Sequence, residues 1–217
     1  MRYSINAVDS SNGGLLNKMK LTDSLLEQTA VYSLWQSPFA RQKFAPILKH
    51  TDLKTVRNVL DVGCGPGTNA ALFANTGYLG VDINPRYIES AKKKYGRNFL
   101  VADVTTYADI PAEKFDFILI NSFLHHIDDA GTNAILSRLK FWLSDDGHIH
   151  ILELVYPTRL SVAQLVAKAD RGKFSRPLDV WRSLFERHLK IQAFEPYPLH
   201  GLGITLWNMI YCKGKPL

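Results

Sequence analysis

Between residues 57 and 155, short apolar runs alternate with stretches of helical period. Arg57–Val62 reads as a buried strand, followed by a predicted helix over Thr68–Asn75 that Gly77 stops. Tyr78–Ile83 is the second strand. Asn84-Pro85 then supplies a cap and a proline at the first helical position, and the helix through Ile88, Ala91 and Tyr95 stops at Gly96. Asn98–Ala102 and Phe115–Ile120 are the third and fourth strands. Asn133–Leu143 places Ile135, Leu136, Leu139, Trp142 and Leu143 on one helical face. A turn at Asp146-Gly147 leads into a fifth strand, His148–Val155.

Strands and helices alternating at this spacing predict an α/β fold with a doubly wound parallel sheet, covered by helices on both faces. Two regions lie outside the alternation. Residues 15–50 show a helical pattern carrying Tyr32, Trp35, Phe39 and Phe44. Residues 157–190 show two helical stretches, Ser161–Ala169 and Leu178–His188, joined by the basic segment Arg171–Pro177. Lys190–Tyr197 and Thr205–Cys212 then read as strands six and seven, and their short connection makes them antiparallel. The expected sheet is therefore seven-stranded and mostly parallel, with an antiparallel last strand.

Composition narrows the class without changing the fold. The 217 residues are 46% hydrophobic and 21% charged, which excludes a disordered or fibrous chain. No apolar run approaches the roughly 20 residues of a membrane helix, and Met1–Asn6 lacks the apolar core of a signal peptide, so a cytoplasmic address is expected. Cys64 and Cys212 are too few for a disulfide framework or a structural zinc site. The net charge of +6 is uneven. Residues 1–58 hold 8 basic and 4 acidic side chains, residues 59–150 hold 8 and 11, and residues 151–217 hold 10 and 5. A uniform nucleic-acid binder would not have an acidic middle.

Candidate chemistry concentrates at the carboxyl ends of the predicted strands, where an open α/β sheet binds its ligand. After strand one comes Val59-Leu60-Asp61-Val62-Gly63-Cys64-Gly65-Pro66-Gly67-Thr68. Glycines there let a ligand approach the backbone. A dinucleotide fingerprint needs Gly at position 68, which is Thr, and no Gly-Lys-Ser/Thr follows, so neither pyrophosphate-binding motif is met. An ordinary tight turn is the bland alternative. Asp82 closes strand two, where a carboxylate can accept both hydroxyls of a ribose. Asp103 with Val104 closes strand three, and Asn121 closes strand four. Any one of these fits a turn or helix cap; four at successive strand ends do not arise readily by chance.

Val59–Gly67, Gly80–Ile83, Ala102–Val104, Phe115–Ile127 and Asp146–Glu153 together resemble the class I S-adenosylmethionine-dependent methyltransferases, over roughly residues 57–155. The resemblance implies S-adenosylmethionine as cofactor. Asp61, Gly63, Cys64, Gly65 and Gly67 would surround its methionine moiety. Asp82 would hold the ribose hydroxyls and Ile83 would pack on the adenine. Asp103 and Val104 would meet the adenine amino edge, and Asn121 and Ser122 would lie beside the departing methyl. It also divides the chain into an N-terminal helical lid (1–56), a cofactor-binding core (57–155), a helical cap (156–190) and the last two strands (191–217). Tyr32 and Trp35 in the lid could face the sulfonium and Arg41 could pair with the cofactor carboxylate; packing and solvation are the alternatives.

Methyl transfer needs a general base only where the acceptor must lose a proton. Candidate bases are His125, His126 and Glu153, each with a bracing role as the alternative. His148 and His150 share a strand face at metal-ligand spacing, but surface histidines are the commoner reading, and no metal is expected. His200 reads as a turn residue. Arg171, Lys173, Arg176, Arg182 and Arg187 would attract an anionic acceptor or form a solvated face, and Trp181, Leu184 and Phe185 beside them fit a lipid-like partner or a core. The expectation is methyl transfer to a small-molecule acceptor, anionic or lipid-like. Contact with a membrane surface is allowed by that reading, and oligomeric state is not legible. The competing readings are an RNA or DNA methyltransferase and a non-transferring protein that keeps the cofactor fold. Asn121-Ser122-Phe123-Leu124 lacks the two prolines of adenine amino-methylating enzymes. Neither cysteine is placed for a cytosine-C5 mechanism, so no nucleic-acid partner is expected.

Overall fold

A computed structural model of the chain describes residues 39–106, 114–169 and 173–217. Seven strands form one sheet: β1 (Asn58–Val62), β2 (Gly77–Asp82), β3 (Asn98–Val101), β4 (Phe115–Asn121), β5 (Leu143–Val155), β6 (Leu189–Gly201) and β7 (Ile204–Pro216). Their order is β3-β2-β1-β4-β5-β7-β6. The pairs β1–β2, β1–β4, β2–β3 and β4–β5 are parallel. β7 runs antiparallel to both β5 and β6, as expected of strands with a short connection. The β4–β5 register shifts between Phe115 and Phe117, close to where the sequence predicts a turn at Asp146-Gly147.

The helices are α1 (Ala40–His50), α2 (Pro85–Tyr95), α3 (Asp129–Trp142), α4 (Val162–Ala169) and α5 (Leu178–Glu186). α2 forms where capping predicts it. The Asn84 side chain accepts from Arg86 N–H, Pro85 fills the first turn, and Gly96 closes the helix in the left-handed region. α3 starts on Asp128, whose carboxylate accepts from Gly131 N–H.

Both faces of the sheet are buried, because side chains alternate along each strand. Ile118 and Ile120 of β4 pack with Leu60, Ile149 and Ile151 under α3 and α5, contributing Ile135, Leu139 and Trp181. Phe117 and Leu119 face the other way, onto Val59, Phe73, Tyr78, Phe44 and Ile47 of α1, and Ile88 and Ala91 of α2. Residues Arg41–Leu217 form one compact unit.

The helix predicted over Thr68–Asn75 is instead a single 3-10 turn, Ala70–Phe73. Asn69 sits at its N-cap without bonding the turn, because its side chain is drawn to Asp61 and Asn121. Gly77, expected as a helix stop, already belongs to β2, where its N–H donates to Arg57 C=O at 2.6 Å.

Candidate functional site

The loop after β1 is fastened to β2. The N–H groups of Gly63 and Cys64 donate to Val81 C=O at 2.8 and 3.0 Å. Gly63 and Gly65 have φ of 69° and 53°, a region that favours glycine. A side chain at Gly63 would collide with the Phe123 ring, whereas one at Gly65 would meet nothing within 4 Å. Asp82 ends β2 directly beneath this loop. Its Oδ2 accepts from Gly65 N–H at 2.9 Å and its Oδ1 from Asn84 N–H at 2.8 Å. A carboxylate offers about four acceptor positions, so two remain for a ligand. Ile83 beside it is 64% exposed. Cys64 is buried, and burial pushes its thiol up, away from thiolate chemistry.

Beneath the loop lies a polar network. Asp61 is fully buried and accepts from Tyr78 O–H at 2.7 Å and from Asn69 Nδ2 at 3.1 Å. Burial pushes its carboxyl up to about 6, against the opposing hydrogen bonds from Tyr78 and Asn69. Asn69 Oδ1 in turn accepts from Asn121 Nδ2 at 3.0 Å. Asn121 Oδ1 is buried with no hydrogen-bond partner among the described residues. After β3, Asp103 Oδ1 accepts from Thr105 N–H and Oγ1 at 2.9 and 2.7 Å, and these bonds hold its carboxyl below the usual range. Val104 is buried.

The turn after β4 is built on Glu153. Ser122 adopts φ 51°, and its N–H donates to Leu152 C=O at 2.7 Å. Glu153 is fully buried. Its Oε1 accepts from Phe123 and Leu124 N–H at 2.7 and 2.6 Å, and its Oε2 lies 2.7 Å from His125 Nδ1 and 3.2 Å from Leu154 N. Burial alone would raise this carboxyl; the charge and hydrogen bond of His125 and the two backbone N–H groups outweigh it, and the group sits below its ordinary value. An ionised Glu153 requires Nδ1 of His125 to donate. His125 is buried, while His126 is exposed, its ring 4.2 Å from that of His125.

Arg176 corrects the reading of a solvated or acceptor-facing cation. It is 6% exposed. Its guanidinium pairs with Asp129 at 2.7 Å, donates to the carbonyls of Leu124, Ile127 and Phe174, and lies 4.7 Å from the Trp181 ring. It pins the far side of the turn that Glu153 holds from within. Arg182 pairs with Glu186 at 3.2 Å and covers Phe194, whereas Lys173 and Arg187 are exposed. Trp181, Leu184 and Phe185 are core residues.

His150 is buried, stacked at 4.0 Å on Phe117, with Nδ1 3.0 Å from the Tyr211 hydroxyl; His148 lies 6.5 Å away, ring to ring. Among the described residues no group of three or more His, Cys, Asp or Glu is placed to hold a metal ion. His200 is bound through its backbone, in both directions, to the Gln42 amide of α1. Arg41 is exposed at the start of α1. Tyr32, Trp35 and Arg171 lie outside the described residues. Reading the sequence missed Asn69 and Tyr78, whose only advance sign is a polar residue on an otherwise apolar stretch.

The donor set fits an uncharged nucleoside carrying a cationic amino-acid tail. It presents a carboxylate with two open acceptor positions, an exposed aliphatic side chain, a loop open at Gly65 and an unpartnered buried carbonyl; among the described residues no cluster of basic groups for a pyrophosphate lines it.

Residues 59–147 match the family described as "Methyltransferase domain". An uncharacterized methyltransferase of Mycobacterium tuberculosis is 33% identical over 150 residues, covering 66% of this chain and 73% of the relative. Trans-aconitate 2-methyltransferase of Methylobacterium radiotolerans is 31% identical over 137 residues, 61% of this chain and 50% of that enzyme. Among solved structures, N-methyltransferase NodS of Bradyrhizobium japonicum, in complex with S-adenosyl-L-homocysteine, superposes with a TM-score of 0.64 at 16% identity, over 82% of this chain and 88% of NodS. That likeness is one of fold.

Proposed function

From the premise that the chain belongs to the class I S-adenosylmethionine-dependent methyltransferases, we propose that it methylates a small, anionic carboxylate acceptor. The observation carrying this reading is the closed Glu153–His125 pair. Two of the three candidate bases are buried and bonded to each other and to the turn, so they position that turn rather than remove protons. A carboxylate acceptor arrives ionised near neutral pH and needs no base. The likeness to trans-aconitate 2-methyltransferase supports the same acceptor class.

When bound, S-adenosylmethionine supplies a methyl activated by its sulfonium. The chain's part is to hold, orient and exclude water. Asp82 takes the ribose hydroxyls on its two remaining acceptor positions, and Ile83 packs on the adenine with Asp103 and Val104 at its edge. The loop from Gly63 through Cys64, Gly65 and Gly67 lets the methionine tail lie against backbone above Asp61. Asn121, held by Asn69, and Ser122, whose N–H donates to Leu152 C=O, line the methyl position. An acceptor carboxylate held beside Asn121 and Ser122 would be placed to receive that methyl, and these residues would orient it and exclude water. Lys173 and Arg187 are exposed on the cap, where an anion would be attracted.

Incubation with methyl-labelled S-adenosylmethionine and a panel of di- and tricarboxylates should yield base-labile methyl esters. Transfer only to phenols or amines, abolished by His126→Ala, would replace this reading with one in which exposed His126 removes the proton. A second expected result tests the loop. Gly65→Ala should cost only about 1 kcal/mol of stability for its φ, since a Cβ there meets nothing. It should nonetheless weaken S-adenosylhomocysteine at least tenfold, because the methyl group occupies the ligand's side of the loop. Thermal unfolding and calorimetry on one preparation separate the two effects.

A further inference from the structure

Asn69, on the 3-10 turn after the glycine loop, is 93% removed from solvent (7% exposed) and touches two residues of the site without reaching the cleft itself. We infer that Asn69 is a positioning residue: held by Asp61 on one side, it fixes the Asn121 amide so that the Asn121 carbonyl is left to accept a hydrogen bond from the α-ammonium of the cofactor. This rests on the cofactor reading above and adds a residue and a directionality to it.

Donors and acceptors fix the order of the network. An ionised Asp61 only accepts, so Tyr78 must give its hydroxyl hydrogen and Asn69 its NH2. Asn69 then has only its carbonyl for Asn121, which must answer with its own NH2. At the end of this chain the Asn121 NH2 is engaged by Asn69, while Asn121 Oδ1 is buried and, among the described residues, has no partner. A buried carbonyl without a donor is costly, and a ligand N–H relieves it. The chain engages the NH2 of the last amide and leaves its carbonyl without a donor, which favours a donor on the ligand.

Protonation of Asp61 disturbs this order, because its O–H competes for a donor's place. Asn69 can then turn its carbonyl to Asp61, and Asn121 its NH2 to the ligand. The groups facing Asp61 are Tyr78 and Asp82 of β2 and Cys64 of the loop, with Arg97 lying 5.3 Å from the Tyr78 ring. Burial places the Asp61 transition near 6 in the ligand-free protein.

Calorimetry with two ligands tests this: S-adenosylhomocysteine, which carries the ammonium, and methylthioadenosine, which lacks the amino-acid tail. For the wild type, the first should weaken as pH falls from 8 to 5.5, and the second should stay within twofold. Asn69→Leu should weaken S-adenosylhomocysteine about tenfold at pH 8, leave methylthioadenosine within twofold, and move the pH midpoint upward, since a hydrogen bond favouring ionised Asp61 is lost. Should that variant not fold, Asn69→Ala serves. It removes the donor to Asp61 without adding a charge beside it, and should show the same selective loss. Equal weakening of both ligands would make Asn69 a mere prop of the loop and overturn the inference, as would an unchanged S-adenosylhomocysteine profile. Failure of the wild type to bind either ligand would instead overturn the cofactor reading itself.

Discussion

Asp82→Ala is expected to weaken S-adenosylhomocysteine at least about a hundredfold, read by calorimetry at pH 7.5. Hydrogen bonds to a charged acceptor contribute roughly 1.5–3 kcal/mol each, and two ribose hydroxyls are at stake. The same carboxylate also holds Gly65 N–H at 2.9 Å and Asn84 N–H at 2.8 Å. Removing it loosens the loop as well as the ligand. Asp82→Asn separates these contributions. Its single carbonyl can keep one backbone bond, but its NH2 faces a donor, so part of the loss should remain. Equal affinity for wild type and Asp82→Ala would move the ribose elsewhere. Adenine has the same affinity in both proteins if only the ribose contact is lost, which makes free adenine the control ligand.

The place of Asp82 was legible in the sequence because it depends only on where the second strand ends. A carboxylate at the end of β2, beside a glycine loop at the end of β1, sits at the ligand edge of any parallel sheet of this order. The strands were legible for the same reason: two-sided burial leaves continuous apolar runs such as Phe115–Ile120. What was not legible depends on partners far along the chain. Arg176 lies in a basic segment that reads as solvated, yet its partner Asp129 is 47 residues away. Glu153 and His125 are separated by 28 residues, and nothing local says that their side chains close on each other. The helix predicted over Thr68–Asn75 failed on a similar account. Asn69 reads as a helix residue, but its amide is held by Asp61 and Asn121, 8 and 52 residues away.

The same turn supports the second large effect. Glu153→Ala should cost about 3–5 kcal/mol, because it removes the acceptor that Phe123 N–H, Leu124 N–H and buried His125 share while leaving all three in place. For a chain of this size that corresponds to a fall in melting temperature of roughly 10 °C. Glu153→Gln should cost far less. Its carbonyl can still accept from the two backbone groups, and its NH2 can donate to His125 once the imidazole takes the other tautomer. A loss as large in Gln as in Ala would mean that charge rather than shape holds the turn. The pH dependence gives an independent sign. Glu153 sits below its ordinary value in the folded chain, so its contribution is present above that ordinary value, near 4.5, and is lost as pH falls through the lowered one. Asp61 acts in the opposite sense. Its carboxyl is raised from 3.8 to about 6, so its contribution is complete below 3.8 and is lost as pH rises through 6. Wild-type stability should therefore fall as pH rises from about 3.8 to 6, on account of Asp61, and level off above that; it should also fall as pH drops below about 4.5, on account of Glu153, and Glu153→Gln should lose that acid-side fall alone. Because the turn carries Asn121 and Ser122, turnover in Glu153→Ala should drop even where the variant stays folded, with cofactor affinity at the Asp82 end retained.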